Sequence, residues 1–588
     1  MPKSLLLRLL IWRKNNISQR NYILILSAIA GLTGGLIALI LKTSVFYLHS
    51  VLLRNESFDE YNLLVFVYPF VGISIVFLFL KFIVRDQIKH NIASILYAIS
   101  KRNSLIQAHK IFSSIIGGIF TAGFGGSIGL ESPIISSGAA IGSNIGKILK
   151  LNYKEITLLL ACGAAGAISA IFHTPLAAII FAVEVLLIDL NRFNLIPLLT
   201  ASVCGAIITN VFFQDEILFE FVLKDPYTVK HTIFYIILGI ISGLTSIYFT
   251  KTFFKVERIA NKFDSVKRLF LGGVVLGVMI FLFPPLYGEG YQTIKAIFAE
   301  NYSVVMKTNL GVNYNNSYLF FYLFFITLLL LKAFATTITL SIGGVGGVIA
   351  PSLFSGAIAG MLFSHTLNLL GFNISEGNFA LVGMAGVLSG VLHAPLTSIF
   401  LIAETTKGYG LIVPLMISTI VSFITVKIFE PNSIFTVQLA KRGELITHHK
   451  DKAILTFMKL KSVIENDFTT IHVDSTLGDL VHKISKSKRN IFPVVDDDNV
   501  LIGLILMNDI REIMFEQNIY DETLVSNLMI LPPAYIGLND TMKEVIEKFE
   551  KSEAWNLPVI ENAKYIGMVS KSKLFSAYRN LLLEISDE

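Results

Sequence analysis

Apolar runs recur from about Ile23 to about Ile428, among them Tyr22–Leu41, Leu63–Ile83, Ile156–Ala170, Ile233–Phe253, Tyr318–Ala335 and Leu411–Val426. In hydrocarbon a segment must satisfy its own backbone polar groups, so runs of this kind fold as helices. Several are shorter than the roughly 20 residues that span ~30 Å of hydrocarbon, and Gly and Pro interrupt them. The expected fold is an all-α polytopic membrane domain whose broken helices line a transport pathway. Composition points the same way: 53% of the 588 residues are hydrophobic and 15% charged, with a mean hydropathy of +0.67, far from the soluble average.

The start of the chain carries Lys3, Arg8, Arg13, Lys14 and Arg20 and lacks a small-residue cleavage site after a compact apolar core. It reads as a cytoplasmic amphipathic segment (residues 1–20), not a secretory signal, and its basic residues place the N-terminus inside the cell. Cys162 and Cys204 lie in apolar segments without disulfide or metal spacing and read as small core residues. A net charge of +6 suits a membrane protein with basic cytoplasmic edges and does not call for nucleic acid.

Self-comparison reveals a duplication. GAAGAISAIFHTPLAAIIFAVE (163–184) aligns without gaps on GMAGVLSGVLHAPLTSIFLIAE (383–404), pairing Gly166 with Gly386, His173 with His393, Pro175 with Pro395 and Glu184 with Glu404. GGSIGLESP (125–133) aligns likewise on GGVGGVIAP (343–351). Two blocks in the same order at nearly the same spacing argue against chance similarity of apolar segments. Each half thus holds two Gly or Pro breaks, each followed by a fresh helix. Beyond about Gly443 the sequence turns charged, and a second, smaller repeat appears. NIFPVVDDDNVLIGLILMNDI (490–510) resembles NLPVIENAKYIGMVSKSKL (556–574), each preceded by an apolar-periodic helix, near 476–486 and 541–551. This reads as a pair of soluble α/β modules.

Helix N-termini present unpaired N–H groups and about half a positive charge, which suits an anion. If the breaks at Gly129–Pro133 and Gly347–Pro351 converge with the start of the Pro175 helix, they form a cradle for a small anion without formal positive charge, and binding stays weak enough for release. Glu131 then competes with the ion as a tethered anion and leaves when protonated, which makes it a gate. The plainer role, stabilising its own helix dipole, is less fitting in a membrane, where a buried acid is costly. Glu184 and Glu404 read as hydrogen-bonding structural residues, and His173 and His393 as helix-start residues rather than metal ligands. Lys332 is either a paired buried charge or snorkels outward. No metal set stands out.

On these motifs the membrane part resembles the CLC family of chloride channels and chloride/proton exchangers, and the tail resembles its CBS-domain pair. GLESP (129–133) corresponds to the family's Gly-Arg/Lys-Glu-Gly-Pro element, GGVIAP (346–351) to Gly-x-Phe-x-Pro, and SIFTVQLAKRG (433–443) to the last pore helix. The resemblance implies two structural repeats within residues 21–443, a linker at 444–460, and CBS modules at 461–520 and 521–588. It implies a homodimer in the inner membrane with both termini cytoplasmic, in contact with lipid and with no nucleic-acid partner. It assigns Glu131 as gating residue and Gly129 with the amides of Val348 and Ile349 to the anion site. His90 falls at the selectivity position, where KHNIAS (89–94) lacks the family's glycines and proline, and Phe435 falls at the pore tyrosine without its hydroxyl.

Exchangers of the family carry a second carboxylate immediately after the position of Glu184; here it is Val185, which cannot relay a proton. The leading expectation is accordingly a chloride channel, including the family's voltage-gated behaviour, with no catalytic activity and no required cofactor. A chloride/proton exchanger with an atypical proton path is the alternative. A CBS-regulated cation transporter would need several inward carboxylates, and an intramembrane enzyme would need a nucleophile and base or a metal set. CBS pairs can bind adenine nucleotides through Gly-x-x-Ser/Thr-x-x-Asp. This chain splits that run, keeping Asp509 in GLILMND and Ser570 in GMVSKSK.

Overall fold

The computed structural model describes residues 13, 15–53, 64–85, 92–189, 191–213, 219, 221, 223, 225–306, 318–406, 408–440 and 460–577. Position 90, at the expected selectivity site, and most of the amphipathic N-terminal segment lie outside the described residues. The chain divides into two compact units, Met1–Leu445 and Ile446–Glu588.

Unit one is helical. Eight helices among the described residues are long and apolar enough to cross a membrane, and the expected runs lie within them. Tyr22–Leu41 falls in Gln19–Leu52, Ile156–Ala170 in Tyr153–Phe172, Ile233–Phe253 in Thr232–Ala260, and Tyr318–Ala335 in Tyr318–Ser341. Leu411–Val426 maps to Ile412–Phe429, while Leu64–Leu78 continues as a π-helical turn over Phe79–Val84. Most of these helices show one apolar face outward, with Phe46, Leu244, Leu323 and Ile428 exposed, the pattern of lipid contact. Tyr153–Phe172 and Glu376–Leu392 are instead wrapped by protein on nearly every side.

The duplication is a duplication of packing. Gln19–Leu52 lies against Tyr153–Phe172 and Arg192–Phe213, and Thr232–Ala260 lies in the same way against Glu376–Leu392 and Ile412–Phe429. Each repeat therefore begins at a span well before the aligned motifs. The helix after each first break crosses the next at small residues. A Cβ on Gly138 would lie 2.3 Å from the Gly163 carbonyl oxygen, and one on Gly356 2.4 Å from that of Gly383. Side chains are excluded there, so the backbones approach as small-xxx-small helices do in membranes. Gly166 and Gly386 fill equivalent junctions, but against different neighbours: the Gly31 backbone in the first half, the Ser242 side chain in the second.

The second breaks are also alike. His173 and His393 end the preceding helices in the left-handed conformation, with φ of +56° and +57°, and Pro175 and Pro395 then open new helices at the first helical position. The histidines thus close helices instead of starting them, which corrects their expected placement. Proline supplies no N–H and disfavours a helical residue before it, so the chain must break there.

Unit two holds the repeated α/β pair. The helices are Leu477–Lys486 and Met542–Ser552, each opened by a capping box, Thr476 with Asp479 and Thr541 with Glu544. Each packs beside a three-stranded sheet. Ile471–His472 pairs parallel with Ile491–Val495, which pairs antiparallel with Leu501–Leu506. Ile536–Gly537, Asn556–Glu561 and Lys564–Ser570 repeat that order and sense. A bulge follows Val494 in one module and Val559 in the other.

Candidate anion site

The two first breaks meet. Gly129 N–H donates to Gly347 O at 3.1 Å and Gly347 N–H donates to Gly129 O at 2.8 Å, a short antiparallel stitch between the repeats. It brings the starts of Glu131–Ile148 and Ile349–Leu369 face to face. Two helix starts so placed would concentrate positive potential in one buried space. Glu131 fills it. Its side chain is 1% exposed, and Oε1 accepts from the Ile349 amide at 2.5 Å and the Ala350 amide at 3.0 Å. The other oxygen, Oε2, has no hydrogen-bond partner among the described residues. The repeat alignment places Ile349 opposite Glu131, so the acid of one copy docks on the amide of its own counterpart. Ala350 carries no side-chain signal and was not singled out from the sequence, whereas Val348, which was, caps the helix one residue earlier.

The second breaks do not join this cradle. Glu404 accepts from the Leu176 and Ala177 amides at 3.1 and 2.9 Å, and Glu184 accepts from the Leu396 and Thr397 amides at 3.0 and 2.7 Å. The expected contribution of the Pro175 helix is thereby corrected: its N–H groups already hold a carboxylate from the other repeat. The Thr397 hydroxyl adds a third bond to Glu184, at 2.7 Å. The structural role expected for both acids is seen directly, and the exchange is reciprocal, as a two-fold relation between the repeats requires.

Between Ile349 and Thr397 the space is apolar. Ile135, Ile168, Phe172, Phe181 and Leu401 close it around a void of about 10 Å³, at the lower limit for one water molecule. Val185 follows Glu184 at the helix end and is buried. Phe435 is buried in the short helix Ile434–Ala440. Lys332 is 0% exposed and donates to Gly288 O at 3.0 Å, with its ammonium 4.8 Å from the Phe354 ring centroid; it does not snorkel. No cluster of metal-ligating side chains occurs among the described residues.

In unit two, a cavity of about 300 Å³ is lined by Glu465, Arg489, Trp555, Asn556, Ser570 and Lys573 among others. Ser570 donates to Glu465 Oε1 at 2.5 Å, and Arg489 bridges Glu465 and Asp467 at 2.6 and 2.7 Å. The guanidinium holds the exposed Asp467 carboxyl below the usual carboxylate range. Asp509 is exposed on the short helix Met507–Ile510 and is absent from the lining, so the structure does not bring the two halves of the split nucleotide motif together in this cavity.

The profile of the voltage gated chloride channel family matches residues 71–427, and that of the CBS domain matches 460–516 and 525–580. A protein described as a ClcB-like chloride channel from Ralstonia nicotianae is 27% identical over 59% of this chain and 77% of its own. The H(+)/Cl(-) exchange transporter ClcA of Vibrio campbellii is 28% identical over 54% of this chain and 67% of its own. The fold matches the crystal structure of a slow cyanobacterial Cl-/H+ antiporter with a TM-score of 0.62, at 22% identity, over 73% of this chain and 99% of that one. With its repeated broken helices, multi-pass membrane unit and paired α/β tail, this chain belongs to the CLC family of anion transporters and ends in two CBS domains.

Proposed function

We propose that the protein is a chloride channel of CLC type, gated by Glu131 and modulated by its CBS pair. The observation that carries this reading is the docking of Glu131 on the Ile349 and Ala350 amides. A carboxylate oxygen held by two helix-start amides stands where a chloride ion would be held. Protonation weakens the carboxylate as an acceptor, the side chain swings away, and the amides receive the ion. Gly129 fixes the geometry through its paired bonds to Gly347, and Val348, Ile349 and Phe435 line the route.

The absence of a carboxylate at Val185, together with the closely packed apolar block beside Ile349, supports conduction without obligatory proton countertransport. The exchanger reading draws support from relatives described as H(+)/Cl(-) exchangers. One measurement separates the two. In proteoliposomes under a chloride gradient, with the membrane potential clamped to cancel passive proton drive, a channel passes chloride and leaves protons at rest, whereas uphill proton movement establishes exchange. Glu131→Gln is expected to keep anion flux and lose its dependence on pH; a wild-type pH response in this variant removes Glu131 as the gate.

The same reading takes the protein as a voltage-sensitive homodimer in the inner membrane, with both termini cytoplasmic. It takes the cavity at Ser570 as an adenine-nucleotide site, in which a ribose or phosphate oxygen displaces Glu465 from Ser570 while Arg489 and Lys573 supply charge. No catalytic step and no required cofactor enter this mechanism.

A further inference from the structure

The segment between the Ser265–Leu282 and Tyr291–Phe298 helices inserts Gly288-Glu289-Gly290 against the first break. Gly288 N–H donates to Gly125 O at 3.1 Å, anchoring the insertion on the glycine turn that precedes Glu131. Gly125 has φ of +84°, and a Cβ there would run into the Tyr287 ring, so the two turns fit only with glycine. From the other side the buried Lys332 ammonium holds Gly288 O. Glu289 is thereby aimed at the gate: its Oε1 accepts from the amide of Leu130, the residue immediately before Glu131, at 3.3 Å. No repeat counterpart marks it, and Glu289 was not among the residues read from the sequence.

We propose that Glu289 is a second carboxylate of the gate, holding the Leu130 amide that an anion entering the cradle needs and sharing with Glu131 one buried field balanced by Lys332. The inference rests on the reading of Glu131 as the gate. Two carboxylates face one pair of helix starts, and their charges interact. Each opposes the other's ionised form and the entry of an anion. Lys332 and Lys42 act on Glu289 with the opposite sign. The charges of both acids act on Tyr291, and His49 and Tyr287 stand beside Gly288 and Gly125. Glu289 thus tunes how much acid is required to lift Glu131, and it occupies one of the donors through which the released cradle would grip its ion.

The test uses the full-length protein in liposomes, measuring chloride efflux across pH for wild type, Glu131→Gln, Glu289→Gln and Glu289→Ala, with thermal melting to confirm folding. Glu289→Gln keeps an acceptor for Leu130 but removes the charge. Without that repulsion Glu131 stays docked more readily, so half-activation moves toward lower pH by about one unit. Glu289→Ala produces the same shift and also frees the Leu130 amide, so the chloride concentration at half-maximal flux falls. In the Glu131→Gln background, direct calorimetric titration with chloride shows tighter binding once Glu289→Ala is added. A half-activation pH unmoved by Glu289→Gln, with flux through Glu131→Gln independent of pH, overturns the proposal and leaves the gate intact. A wild-type pH response in Glu131→Gln overturns the gate reading and the proposal together.

Discussion

Glu184 and Glu404 stand at equivalent positions of the two repeats and treat each other's helices alike, each capping the proline-started helix of the opposite copy. Glu131 has no such twin, because its place in the second repeat is taken by Ile349. Where the acids are paired by symmetry, every first-turn amide they reach is satisfied and the junction is closed. Where symmetry is broken, one carboxylate faces two helix starts and keeps an oxygen without a partner. The same local chemistry, an acid on a helix N-terminus, is fully satisfied when duplicated and keeps an unpartnered oxygen among the described residues when single. Duplication built the scaffold, and divergence at one position supplied the residue we propose as the gate.

That contrast is most severely tested by removing a symmetric acid. Glu184→Ala leaves the Leu396 and Thr397 amides and the Thr397 hydroxyl without their acceptor, at a cost of about 2–4 kcal/mol. We expect a lower melting temperature in detergent and reduced yield, with Glu404→Ala behaving alike. If either variant melts like wild type, the reciprocal caps are not what closes the interface. Next in size is an asymmetry within the repeat. Gly166→Ala drives a methyl against the Gly31 Cα, 2.5 Å away, whereas Gly386→Ala meets the Ser242 hydroxyl, 2.7 Å away. The Ser242 hydroxyl can turn aside, leaving its Cβ at 2.8 Å, whereas the Gly31 backbone cannot move and is closer, so the first substitution should cost about 1–3 kcal/mol and the second less; equal melting points would contradict this. The smallest effect on stability belongs to Glu131→Gln. The neutral side chain holds the Ile349 and Ala350 amides less tightly, but burying a neutral group is cheaper than burying a charge, so the two effects offset. We expect the stability to stay within about 1 kcal/mol of wild type while the pH dependence of flux disappears; a large loss of stability would place Glu131 with the structural acids.

Much of this was legible in the residues. The gapless match of 163–184 on 383–404 announced two copies, and Pro175 and Pro395 announced breaks, because proline's missing donor acts locally. The charged α/β tail was equally plain, since the apolar-periodic helices near 476–486 and 541–551 and the Pro-led strands are short-range signals. What the sequence withheld was partnership. That Glu404 reaches Leu176 and Ala177 across 228 and 227 positions follows from the two-fold arrangement of the copies, and without it the Pro175 helix looked open to an anion. Lys332 could not be assigned inward or outward until Gly288 appeared as its acceptor. Glu289 lay hidden for a related reason: a lone acid between glycines belongs to no periodic face and no repeat. Asp509 and Ser570 belong to one motif split between two modules, and only the folded tail shows which of them reaches the cavity.

The paired amide–carbonyl bonds between Gly129 and Gly347 also decide where mechanical work is done. They join the two repeats directly beside the docked Glu131, so the backbone frame there is continuous through both repeats. With Glu131 as the gate we propose, passage of an ion would require only rotation about its few side-chain bonds. A gate of that kind would respond to a single proton.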